Sequence, residues 1–322
     1  MGKRVTMSAG HFHFFHRIAP IMAELRGFFR EEGLNDVAIV APGEDYLAME
    51  NLKAGKIDFI LDVRPLLAFS ENNKGTSVYI IGGMIGGNLT YLHGAKGIKR
   101  IEDLKGKRVG LVEAGGSRES LWIKDLIRRH GLVPDKDVTF ALHIGYTSLQ
   151  NQAPHLDRGD YHAVLISEQY NEQAVKAGYA VLGERSSEFS DYPDRVVATT
   201  GDMLTRNPET VKAFLRGLIR GYRFIKLKKN WPEVAKTVEE YKWERDMGWE
   251  DFDHALLKKQ YALIKYVTSD GLVSRKGLET VLAQTKALRM MPEEFSLDQV
   301  LRQALAEEAS KEIKQRFGRG YE

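Results

Sequence analysis

A chain of 322 residues, 43% hydrophobic and 28% charged, has material for two cores and the make-up of an ordinary globular protein. Its net charge of +3, with no long Lys/Arg run interleaved with aromatics, argues against nucleic acid as a partner, and no apolar run reaches membrane-spanning length. The lack of any cysteine removes disulfides, thiolate metal ligands and cysteine nucleophiles.

In chain order, residues 3–9 read as a strand, followed by the loop HFHFFHR from His11 to Arg17. A helix then runs to about residue 32, with Ile18, Ile21, Met22, Leu25, Phe28 and Phe29 as its apolar stripe and Gly33 as its stop. A strand at 37–40, a turn at Pro42-Gly43 and a short helix at 46–54 follow. The third strand, 57–61, delivers Asp62, Val63, Arg64 and Pro65 beyond its end, and 77–83 is a fourth strand.

Glycines at 82, 83, 86 and 87 precede an extended stretch at 89–93, the expected first crossing between two lobes, where glycine permits bending and close backbone approach. The second lobe opens near Gly94 with a short helix at 101–104. Val109, Leu111 and Val112 form its first strand, Gly115-Gly116 punctuates it, and Leu121, Trp122, Leu126 and Ile127 recur at helical spacing. A strand at 138–142 ends in HIGYTS, which contains Tyr146. The next strand delivers Ser167, Glu168 and Gln169, and 179–182 is a further strand.

Residues 195–200 read as the return crossing. Asn207-Pro208 starts a strong helix whose face carries Val211, Phe214, Leu215, Leu218, Tyr222 and Ile225. The basic run 220–229 reads as one solvated helix face. From 231 to about 316 the chain reads as helices broken near Gly248, Gly271 and Pro292, packing on the lobes rather than forming a third domain. The expected division is 1–90 for the first segment of lobe one, 91–195 for lobe two, and 196–322 for the return to lobe one and the C-terminal helices.

The two halves echo each other. KRVTMSAG leading to FFREEGL is matched by KRVGLVEAGG leading to LIRRHGL, and LKAGKIDFIL is matched by LDRGDYHAVL. Each half runs strand, helix, strand, helix, strand, which implies right-handed crossovers and a mostly parallel sheet. The expected fold class is therefore α/β, with two such lobes flanked by helices, a ligand cleft at the strand carboxyl ends, and a helical tail.

At the start of the second lobe's first helix, Gly115, Gly116 and Ser117 offer free backbone N–H groups and a favourable dipole. They form a candidate seat for a carboxylate, sulfonate or phosphate; equally, Gly-Gly makes a turn and Ser117 caps its own helix. His11, His13 and His16 invite a metal reading, but no spacing supplies the accompanying carboxylate, and no metal or cofactor is expected. Histidines lining a ligand, with Phe12, Phe14 or Phe15 stacking on its ring, stand against plain solvated loop histidines. Arg64 suits a carboxylate or sulfonate through two parallel hydrogen bonds, or an ion pair with Asp62 or a helix carboxylate. Arg118 occupies a first helical turn, where the dipole disfavours a cation and anion capture would explain it; a surface arginine is the plain alternative. Glu168 either opposes a ligand cation or hydroxyl, or caps the following helix.

RGFFREEGL (residues 26–34), LKAGKIDF (52–59), IKRIEDLKGKRVGL (98–111) and NPETVKAFLRG (207–217) together resemble the type II periplasmic binding proteins. The nearest branch serves alkanesulfonates, taurine, nitrate and thiamin pyrimidines. The resemblance covers roughly residues 3–230. It implies two lobes that close over a small molecule and hand it to an ABC permease. Position then nominates His11, His13, Phe14 and Arg64 from lobe one, and Gly115, Gly116, Ser117, Arg118, Tyr146 and Glu168 from lobe two.

A minority of similar proteins are enzymes. The thiamin-pyrimidine synthases of this fold carry a lysine for pyridoxal phosphate, a reactive histidine and a cysteine-rich segment. Here LDVRPLLAF (61–69) has neither lysine nor histidine, and cysteine is absent. A resemblance to dihydroxyphthalate decarboxylases rests on the histidine loop alone, which could orient an aromatic carboxylate and protonate a ring carbon. No serine triad, P-loop or dinucleotide fingerprint appears. The first strand begins almost at once, so the chain is expected to be either intracellular or the mature form of an exported protein.

Overall fold

A computed structural model describes residues 4–9, 14–40, 45–87, 90–111, 118–142, 148–184, 191–245 and 261–318. The side chains described exclude 14–16, 45, 118, 119, 169, 238, 239, 241–245, 262 and 263. The chain forms two compact units. One is Met1–Gly86 with Pro193–Leu278 and Phe295–Glu322; the other is Gly87–Tyr192 with Glu279–Glu294. The tail is thus shared, where the sequence reading kept all of 196–322 with the first lobe.

The first unit opens with β1 (Val5–Ala9), α1 (Phe14–Leu25), α2 (Phe28–Glu31), β2 (Val37–Val40), α3 (Asp45–Lys53), β3 (Phe59–Val63), α4 (Pro65–Asn73) and β4 (Val78–Gly86). The second unit follows as β5 (Thr90–Gly94), a 3₁₀ turn at Ile101–Leu104, β6 (Arg108–Leu111), α5 (Arg118–Arg129), β7 (Thr139–Leu142), α6 (Leu149–Arg158), β8 (Ala163–Ser167), α7 (Glu168–Lys176) and β9 (Ala180–Glu184). The chain then returns through β10 (Pro193–Thr200), α8 (Gly201–Arg206), α9 (Pro208–Lys226) and α10 (Trp231–Arg245). It finishes with α11 (Arg275–Ala287), α12 (Leu297–Val300) and α13 (Ala304–Phe317).

The two sheets have the same plan. The first runs β2-β1-β3-β10-β4 and the second β7-β6-β8-β5-β9. In each, the three leading strands are parallel and the fourth is reversed against both of its neighbours. The reversed strand of the first sheet, β10, arrives only after the whole second sheet has been made. Each sheet is therefore mixed: four strands run one way, as the repeated strand-helix order implies, and one strand is reversed among them.

Local sequence explains most of these elements. Residues 17–23 of α1 are buried all round, while Leu25 of the predicted stripe is exposed, and the helix stops short of the predicted residue 32. Gly27 adopts a left-handed φ of 71°, which turns the chain and starts α2 afresh. On α9 the predicted stripe of Val211, Phe214, Leu215, Leu218, Tyr222 and Ile225 is buried. Phe214 stacks on Phe59 at 3.9 Å and on Phe29 at 5.7 Å between ring centroids. The second core gathers Val109, Trp122, Leu126, Ile127, Val138 and residues 163–166.

The basic run at 220–229 is not one solvated face: Lys228 and Lys229 are exposed, but its arginines are not. Arg220 and Arg223 are 4% and 6% exposed. Arg220 donates to Glu31 and Glu32 and lies over the rings of Phe28 and Phe317, while Arg223 Nε donates to the Ser269 carbonyl at 3.0 Å. Helical spacing alone does not distinguish an exposed arginine from one whose partner comes from a distant helix.

The glycines expected at the first crossing serve close packing. β4 continues through Gly82 and Gly83 to Gly86, and the Gly83 N–H donates to the Gly271 carbonyl at 2.8 Å. A Cβ on Gly83 would lie 2.1 Å from the Leu272 carbonyl oxygen, so only glycine lets that backbone lie so near.

Candidate functional site

Equivalent strands in the two sheets deliver equivalent positions. By sheet order β1 corresponds to β6, β2 to β7 and β3 to β8. His11, His13 and Phe14 follow β1; Gly115, Gly116, Ser117 and Arg118 follow β6; Tyr146 follows β7. Arg64 follows β3 and Glu168 follows β8. Every nominated residue therefore comes just after the carboxyl end of a strand in its own sheet, where α/β sheets bind ligands.

His11, His13, Gly115, Gly116, Ser117 and Tyr146 lie outside the described residues. Phe14 and Arg118 are the first residues of α1 and α5, and their side chains, like that of His16, lie outside the described set. Among the described residues, no group of three or more His, Asp or Glu could hold a metal ion, and the metal reading of the histidine loop falls outside them.

In the first unit, Arg64 is the N-cap of α4, with an extended backbone and no side-chain capping bond, and Pro65 fills the first helical position. Its side chain is half-buried at the positive end of a helix dipole, where a cation gains nothing from the helix itself. Two residues earlier, Asp62 takes φ 75°, rare for a residue with a side chain, and is 5% exposed. Arg195 at the start of β10 stands 2.9 Å from the Asp62 carboxylate and 3.4 Å from that of Asp194. Burial, and after it the charge of Asp62, push the Tyr222 phenol well above its ordinary range. β3 thus runs two residues past its predicted end, with the buried Asp62 carboxylate matched by Arg195 on the neighbouring strand.

In the second unit, Ser167 is the N-cap of α7 and Glu168 is its first residue, where a carboxylate suits the helix dipole. Thr90 pairs with Ser167 and Tyr91 with Glu184 in the strand register. The Tyr91 phenol is raised first by burial, then by the charges of Glu184 and Glu168, with a hydrogen bond to Glu184 adding to it. Arg64 and Glu168 are each the first residue after their strand, with opposite charge. Arg195, Tyr91 and Glu184 were not singled out from sequence. Their signal was a position at the end of an extended crossing, which carries no residue-level information until the strand pairing is known.

The NMT1/THI5-like family model matches residues 16–229, well over half of the chain. The chain belongs to the NMT1/THI5-like family. The nitrate/nitrite binding protein NrtA of a Nostoc species is 22% identical over 247 residues, spanning 69% of this chain and 54% of that protein. The chain thus spans about half the length of that curated relative. A 4-amino-5-hydroxymethyl-2-methylpyrimidine phosphate synthase of Schizosaccharomyces pombe is 25% identical over 291 residues, 85% of this chain and 78% of that protein. The crystal structure of the periplasmic aliphatic sulphonate binding protein SsuA from Escherichia coli is similar, with a TM-score of 0.69 at 14% identity, covering 94% of this chain and 93% of that one. The NMT1/THI5-like chain has the periplasmic-binding-protein fold. No helix among its described residues is long and apolar enough to cross a membrane.

Proposed function

We propose that this NMT1/THI5-like protein is the substrate-binding component of an ABC-type importer, capturing a small organic anion by closing two units over it. The ligand is a carboxylate or sulfonate, aromatic or aliphatic. The observation that carries this reading is the shared sheet plan, by which all ten nominated positions follow strand carboxyl ends. The nitrate/nitrite binding named for the Nostoc relative and the sulphonate binding named for the similar solved structure support it. His11, His13, Phe14 and Arg64 serve from one unit, and Gly115, Gly116, Ser117, Arg118, Tyr146 and Glu168 from the other. An extracytoplasmic location and an ABC permease partner go with this reading; a cytoplasmic location goes with the enzyme below.

The synthase relative favours a second reading, an enzyme on the same fold. Pyridoxal phosphate does not fit here: the end of β3 and start of α4, residues 61–69, hold no lysine or histidine. What remains of the enzyme reading is an aromatic-acid decarboxylase using the His11, His13 and His16 loop.

The test exposes the purified protein to nitrate, taurine, ethanesulfonate, benzoate and benzenesulfonate, following melting temperature, binding heat and product together. Stabilisation with saturable heat and no product is the expected result. Release of CO₂ from an aromatic carboxylate would replace transport by decarboxylation, and no response to any anion would overturn the anion reading.

A further inference from the structure

Inside the second unit, a run of buried polar bonds joins the chain crossings to the helix of the candidate anion seat. Tyr192, the last residue before β10, is 1% exposed, and its carbonyl accepts the Gly87 N–H at 2.8 Å. Of the four places where the chain passes between the units, the first two, after Gly86 and before Pro193, are therefore tied to each other at their second-unit ends. The Tyr192 hydroxyl donates to Gln284 Oε1 at 2.8 Å, and Gln284 Nε2 donates to Asp125 Oδ2 at 3.3 Å. Asp125, a residue of α5, also receives Arg128 at 2.8 Å and Arg129 at 3.3 Å. Gln284 lies on α11 and is supplied by the tail segment Glu279–Glu294.

The chemistry of this run singles out an amide at position 284. It must accept from a phenol on one side and donate to a carboxylate on the other, which a neutral amide does and a carboxylate cannot. Buried at 4% exposure, it is costly unless both bonds are made. A tail that merely covered an apolar surface would not need it.

We propose that Gln284 is a positioning residue of the hinge. Through it the tail segment acts as a third hinge element, coupling the start of β10 to α5, the helix that follows Gly115–Gly116–Ser117. The inference rests on the two-unit closing motion proposed above. An anion seated at the start of α5 would, through Asp125 and Gln284, bias Tyr192 and with it the crossing, which is how a local contact shifts a two-state population.

The chain has no cysteine to compete with introduced ones. Spin labels at Arg30→Cys and Gln173→Cys, one exposed site in each unit, report the inter-unit distance distribution of the full chain by pulsed electron resonance. No anion is added, so failure here leaves the ligand reading standing, and failure of the anion panel leaves this one standing. Tyr192→Phe and Gln284→Leu are each expected to broaden or shift the distribution, and the double variant to go no further than either. Ile127→Val, which loosens the same core without touching the run, is expected to leave it as in the parent. Unchanged distributions in both variants, additive changes in the double, or an equal change in Ile127→Val would each overturn the proposal. Tyr192→Phe loses only a hydroxyl, which keeps the test available if Gln284→Leu does not fold.

Discussion

Arg220 Nη1 lies 3.1 Å from Glu32 Oε1, with the two side chains 4% and 2% exposed. Glu32 is also bound by Arg216 at 2.7 Å and Arg316 at 2.8 Å, so one carboxylate gathers α9 and α13 onto the end of α2. Removing it strands buried guanidinium groups. Glu32→Gln is expected to cost about 3–5 kcal/mol in urea unfolding. Burial raises the Glu32 carboxyl, but hydrogen bonds from Arg216 and Arg316 outweigh that and hold it below its ordinary value. Its contribution is therefore complete above the unfolded pKa of about 4.3 and lost as pH falls through the lower folded value. The variant should show a flatter acid branch than the parent; equal slopes would contradict the assignment.

His93 is fully buried on β5, between β8 and β9, with Nδ1 3.3 Å from the Tyr179 carbonyl. Burial lowers its pKa more than the bonds to Tyr179 and Asn171 raise it. The unfolded chain binds that proton first, so stability is full above about pH 7 and declines as pH falls from about 6.5 toward the depressed folded value. Melting temperatures of His93→Gln between neutral and mildly acidic pH should fall less steeply than those of the parent. Part of the slope is expected to remain, because burial lowers His162 as well.

Gly83→Ala tests the close passage of β4 and the segment after Gly271. The added methyl would meet backbone rather than a movable side chain, 2.1 Å from the Leu272 oxygen. A loss of about 1–3 kcal/mol or more is expected from such overpacking. Gly33→Ala meets open space but sits at φ 92°, so its cost should come from backbone strain alone. Comparable chemical melts for Gly83→Ala and the parent would mean the two segments part more easily than their geometry implies.

Arg64→Ala leaves the cap of α4 intact, because that cap uses no side-chain bond. Loss of a charge-assisted pair is worth about 1.5–3 kcal/mol, or roughly a 10- to 150-fold weaker affinity for whichever anion the panel identifies. Gly116→Asp, which places a negative charge in the proposed seat, should weaken the same anion strongly. Calorimetry showing parent-like affinity in both variants would remove the anion site from these residues.

Much of the fold was legible because its signals are local. Val37–Val40 and Ile101–Leu104 were read to the residue, and Asn207-Pro208 with the stripe from Val211 to Ile225 marked α9. What escaped depended on partners far along the chain. The strand read as 57–61 runs on through Asp62 and Val63, where Arg195 stands beside the Asp62 carboxylate. Arg220 read as solvent-facing until Glu31 and Glu32 closed on it. Nothing in the spacing around Gln284 shows that it reaches Tyr192 and Asp125. Of the nominated site, Arg64 and Glu168 are the two whose side chains the structure describes, and both follow strand ends as the alternation implied. The pairing of Tyr91 with Glu184 required the register, which a one-residue slip would have undone.

The late arrival of β10 sets an order of assembly during synthesis. Once residue 184 has left the ribosome, all five lanes of the second sheet are present, whereas the first sheet still has an empty lane between β3 and β4. The N-terminal segment must wait, its two facing strand edges unpaired, while the part made after it already has every strand of its own sheet. A nascent chain arrested after residue 184 has emerged and before residue 193 does should therefore be the most protease-sensitive at its oldest end, and a chaperone would be needed there rather than at the growing tip.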